Sequence, residues 1–272
     1  MSEQSAPRPL LQHGLVPLRH LIVSLLSMLG DFALLSAQVA RGGFRGRWSR
    51  GELWRQLYHI GNRSLLFVLT TLGFIGMVLV FQTCLQINRV TGDLSQVGAE
   101  FAKILVHEFG PSLTAMMLAT RVGAGIAAEI GSMVVTEQVD ALRMCGVEPI
   151  EYLLSPRFAA MLLMTALLTV FGVCAALGMG ALTAYQSFHV PFEVFFDFSK
   201  VTPGDLVTGL GKCFCYGAAI PAVSGFCGFR TTGGSEGVGW ATTRAVVASS
   251  FAVILLDFFL SGIAMFTLQA SH

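Results

Sequence analysis

Apolar residues run through this chain in long uninterrupted stretches, without the alternating or 3.6-residue spacing of half-buried elements. Ser64 to Asn88 holds 25 residues without a formal charge, and a helix crossing a bilayer core takes about 20. A second stretch, about Gly98 to Met133, is more polar and carries Glu100, Lys103, His107, Glu108, Arg121 and Glu129. The third, Phe158 to about Gln186, is uncharged. The fourth, about Leu206 to Phe229, contains Lys212, and the fifth, about Val246 to Leu268, contains Asp257. The pattern predicts an all-α polytopic membrane protein with spans near 64–88, 98–133, 158–186, 206–229 and 246–268.

Leu15 to Ala40 is also apolar, but Pro17, Arg19, His20, Gly30 and Asp31 interrupt it. As a sixth span it would put either its leading arginines or the cluster from Arg41 to Arg63 outside, against the positive-inside rule. No small-residue cleavage site follows its apolar core, which disfavours a signal peptide. It is read as an amphipathic helix lying in the interface, so that residues 1–50 form a tail and interfacial helix and residues 51–272 the membrane domain. With the N-terminus inside, inner segments hold twelve Lys and Arg residues, while the outer loops hold Arg89 and Lys200. That asymmetry supports the orientation.

Composition narrows the function. Of 272 residues, 12% are charged and the mean hydropathy is +0.69; soluble domains average about 25% charged. The balance points away from a soluble enzyme, and a net charge of +1 without basic tracts among aromatic residues gives no footprint for nucleic acid. The six cysteines contain no C-x-x-C pair, so they read as small buried hydrophobes, not metal ligands. Gly211 and Lys212 are followed by Cys213 without a phosphate-loop spacing, and His107-Glu108 meets Pro111 where a zinc protease needs its second histidine. No catalytic residue, metal or cofactor is expected. Gly123, Ala127 and Gly131, and again Gly172, Ala176, Gly180 and Ala184, recur at four-residue spacing, which predicts faces of close helix contact.

Charges within spans are functional candidates because hydrocarbon disfavours them strongly. At about 1.5 Å per residue, Glu108 lies about 15 Å and Lys212 about 10 Å from the outer ends of their spans, so the two can meet. They are expected, with His107 and Gln82, on the wall of an outward-facing cavity. A buried ion pair that only locks two spans is the competing reading. Arg121 and Asp257 fall at similar depths and are expected to form a structural ion pair, and Glu129 is placed near Arg230 or Arg244. The segment Gly233 to Gly239 reads as a flexible inner turn.

The inner loop between the second and third spans, Glu137 to Pro149, is too polar to cross and is stopped by Gly146 and then Pro149. It predicts a short surface helix. Asp140-Ala141-Leu142 with Gly146 resembles the pattern by which ABC permeases dock onto an ATPase. Together with Glu108-Phe109-Gly110-Pro111, Arg121 to Gly131, Ser155-Pro156-Arg157-Phe158 and Ala241 to Val247, the chain resembles the MlaE family of ABC permeases. The resemblance implies a phospholipid-transporting homodimer in a bacterial inner membrane, with a lipid head group held in the cavity at Gln82, His107, Glu108 and Lys212. It also implies a cytoplasmic ABC ATPase subunit docked on Glu137, Asp140, Ala141, Leu142, Arg143 and Gly146, and a periplasmic MCE-domain partner. The phenylalanine-rich outer loop, Ser187 to Pro203, is expected at the outer interface. An ion-coupled secondary transporter of a hydrophobic substrate is the alternative, although five spans offer no inverted repeat.

Overall fold

A computed structural model describes residues 30, 34–39, 41–42, 50–90, 94 and 96–269. Five helices in it are long and apolar enough to cross a membrane. They are α1 (Arg50–Val90), α2 (Val97–Val135), α4 (Pro149–Phe188), α6 (Pro203–Phe229) and α7 (Gly234–Gln269). Short helices join them: α3 (Gln138–Met144) links α2 to α4 at one end of the bundle, and α5 (Phe192–Phe195) links α4 to α6 at the other. The expected interfacial helix over Leu15 to Ala40 lies largely outside the described residues; positions 34–39 are helical.

Three helices start earlier than the apolar windows: α1 at Arg50, α4 at Pro149 and α7 at Gly234. Charged and polar residues end a hydrophobic window without ending a helix, because an exposed overhang solvates them. Pro149 occupies the first turn of α4, where its missing N–H costs nothing. The expected flexible turn from Gly233 to Gly239 is therefore corrected. Gly233 (φ 91°) and Gly234 (φ 70°) make the turn, and the chain is helical from Gly234 onward.

The small-residue faces do what their spacing predicts. A Cβ on Gly76 of α1 would strike the backbone of Ala176, while Gly172 and Gly180 of α4 abut Leu72 and Val80. On α2, Gly123 faces Ile220 and Ser224 of α6, and Gly131 faces Thr231. Close backbone approach replaces the hydrophobic drive that lipid does not supply. Val80, Val97, Phe101 and Phe195 pack in one cluster beside α5, and Ile126, Ile130, Leu154 and Phe158 in another toward α3.

α2 is not a regular α-helix. It widens into π-turns at Leu105–Phe109 and Ala119–Gly123. The first has a plain cause. Pro111 lacks an N–H and its ring would collide with the carbonyl four residues back, and the N–H of Gly110 reaches back five residues to Leu105. Both π-turns carry ionisable side chains, His107 and Glu108 in the first and Arg121 in the second.

Candidate functional site

Toward the α5 end, three helices meet around one lysine. Lys212 of α6 is 1% exposed. Its Nζ donates to Glu108 Oε2 at 2.6 Å and to Ser261 Oγ at 2.7 Å, and lies 3.1 Å from Asp257 Oδ1. Tyr216 donates its hydroxyl to the same Asp257 oxygen at 2.6 Å, and Ser261 donates to Glu108 Oε2 at 3.2 Å. One ammonium thus meets two carboxylates, and its three donors face three oxygens. The Glu108 and Asp257 side chains keep 36% and 29% exposure, so the carboxylates, and not the ammonium, form the accessible face of the cluster. The Nδ1 of His107 lies 3.7 Å from Glu108 Oε1, and its buried Nε2 has no partner among the described residues.

Glu108 and Lys212 thus come together as their depths suggested, and Gln82 does not join them. It is exposed on α1 and makes none of these contacts. The expected Arg121–Asp257 pair is corrected, because Asp257 belongs to Lys212 and Tyr216. With α7 starting at Gly234, Asp257 lies about 34 Å along the helix, well beyond the midpoint that a start at Val246 implied. A signal for the missed members does exist. Tyr216 stands four residues after Lys212 and Ser261 four after Asp257, so each pair shares a helix face.

Toward the α3 end lies a cavity of about 370 Å³ lined by Arg63, Arg121, Glu129 and Arg157, with Gln56, His59 and Ser64. Arg157, one residue before the third apolar stretch, sits within α4 at 5% exposure. It donates to Glu129 Oε2 at 2.8 Å and to the Leu153 carbonyl at 3.2 Å. Glu129 is therefore the partner of Arg157, not of Arg230 or Arg244. Arg230 stacks on the Phe226 ring at 4.7 Å.

The third element is α3. Glu137 enters it at φ 61° and Gly146 leaves it at φ 73°. The N–H of Val147 bonds the Leu142 carbonyl and that of Gly146 the Arg143 carbonyl, a Schellman ending that satisfies the last carbonyls. Val139 is buried at 4%, while Asp140, Ala141, Arg143 and Met144 are exposed, and Arg143 donates to Asp140 at 3.1 Å. Val139 anchors the helix, Leu142 is half-buried beside it, and the remaining side chains are exposed.

A bundle of five helices long and apolar enough to cross a membrane, with charges paired inside it, is that of a multi-pass membrane protein. Comparison with known proteins makes the class specific: residues 53–263 match the family described as Permease MlaE, and the chain belongs to that family, as an ABC transporter permease subunit. It is 35% identical to a probable ABC transporter permease protein of Synechocystis sp., over 84% of this chain and 87% of that one. A probable ABC transporter permease protein of Rickettsia felis is 35% identical over 85% of this chain and 90% of its own length. The chloroplastic protein trigalactosyldiacylglycerol 1 of Arabidopsis thaliana is 33% identical over 84% of this chain and 65% of its own.

Proposed function

We propose that the chain is the permease of a phospholipid transporter that works as a homodimer in a bacterial inner membrane, with its N-terminus cytoplasmic. A separate cytoplasmic ATPase grips α3, and a periplasmic MCE-domain protein sits over the α5 end. ATP hydrolysis moves α3, and α3 moves α2 and α4, because it is joined to each of them by only a few residues. Tilting these helices opens or closes an outward cavity between the protomers. Glu108, His107 and the neighbouring carboxylate of Asp257 face the lipid head group there, Lys212 holds them in position, and Gln82 lies farther along the wall. The outer segment, with Phe192, Phe196 and Phe198 exposed, offers the apolar surface for the MCE partner. The observation that carries this reading is the coupling helix itself: an exposed Asp140-Ala141 face on a helix anchored by Val139 and closed at its C-terminal end by the Gly146 and Val147 bonds, in a chain of the permease family. The name of the Arabidopsis relative, that of a galactolipid, supports lipid as the cargo class.

The test is mass spectrometry of lipids retained by the permease co-purified with its ATPase. Phospholipid in amounts comparable to the protein supports the reading. A complex free of lipid that responds instead to an ion gradient would return the secondary-transporter alternative.

A further inference from the structure

The cavity toward α3 has no part in the function proposed above. We propose that it is a second lipid site, one that takes the phosphate group of a membrane phospholipid on the α3 side; only the assignment of that side as cytoplasmic rests on the reading above. Three guanidinium groups, Arg63, Arg121 and Arg157, line it against the single carboxylate of Glu129, a formal surplus of positive charge. Arg157 and Glu129 satisfy each other at 2.8 Å and form a fixed wall. Arg63 and Arg121 are exposed and make no ion pair among the described residues. Arg121 stands about 21 Å along α2 from Val135, where an unpaired cation is costly unless an anion joins it.

A second observation points to a ligand. Ser64 lines the same cavity at 1% exposure, and its hydroxyl has no partner among the described residues. A buried hydroxyl without a bond is a group awaiting one. Guanidinium forks match pairs of phosphate oxygens, and about 370 Å³ admits a head group while leaving acyl chains in the bilayer. The second π-turn presents Arg121 to this space.

Gly125 gives access for a test, since it lines the cavity and a Cβ there meets nothing within 4 Å. p-Benzoylphenylalanine at Gly125, in the full chain bound to its ATPase in phosphatidylcholine nanodiscs, should crosslink to labelled phosphatidylglycerol. Arg63→Gln with Arg121→Gln should lower the crosslink about tenfold without shifting the melting temperature, and the two Lys replacements should restore most of it. Excess inorganic phosphate should leave the crosslink in place; if it abolishes it, the site serves a free anion and the lipid assignment falls. An undiminished crosslink in the double Gln variant overturns the proposal. A parallel probe at Phe109, exposed beside Glu108, separates the two ideas. Crosslinking at Phe109 with none at Gly125 removes the inner site alone, and silence at both positions removes the lipid permease reading as well.

Discussion

The two polar regions of the bundle solve the same problem in opposite ways. Around Lys212 a single buried cation has each of its donors facing an oxygen, two of them from carboxylates. Around Arg121, several cations share one carboxylate that is already committed to Arg157. The first region is internally saturated and ties α2, α6 and α7 together. The second is unsaturated and ties nothing beyond α2 to α4. A charge within a span is therefore not by itself a statement about binding. What separates a cation spent within the protein, such as Lys212, from one open to an anion is whether the protein's own groups complete its hydrogen bonds.

Substitutions should break this contrast in a graded order. Lys212→Leu leaves two carboxylates facing each other without their cation, and a loss of about 3 kcal/mol is expected, the low end for a broken buried pair because both carboxylates keep some access to solvent. Thermal unfolding in detergent reads it. Adding Glu108→Gln and Asp257→Asn should recover most of that loss, which sharpens the case that charge, and not packing, is at stake. Arg157→Leu comes next, at about 1–2 kcal/mol. It removes a buried guanidinium, but Glu129 is 58% exposed and can turn to water. Arg121→Gln should change stability by no more than about 0.5 kcal/mol, since no ion pair among the described residues is lost. An Arg121→Gln variant as unstable as Lys212→Leu would erase the distinction between the regions.

Much of this arrangement was legible before the fold. Five apolar stretches gave the five spans, four-residue ridges gave the faces that now pack Gly76 on Ala176 and Gly123 on Ser224, and Gly146 with Pro149 bounded α3 to within two residues. Depth along the helices brought Glu108 to Lys212. The same arithmetic failed for Asp257 because hydropathy marks where lipid begins, not where a helix begins, and α7 has a polar overhang from Gly234. Arg157 falls outside the third apolar stretch for a related reason: its charge ends that stretch at Phe158, yet Pro156 and Arg157 sit inside α4 and the guanidinium is held by Glu129 and the Leu153 carbonyl. The π-turns left a trace only at Pro111. Nothing in the residues around Ala119 announces the second.

The central claim is that this chain takes its motion through α3, and Asp140→Lys in a reconstituted liposome assay tests it most directly. Asp140 is exposed and touches only Arg143 among the described residues, so the fold should be unaffected and the melting temperature unchanged. The account predicts that ATP-dependent phospholipid transfer by permease and ATPase together falls to background in this variant. Transfer that continues at the wild-type rate, or that the permease performs without any ATPase, would contradict it.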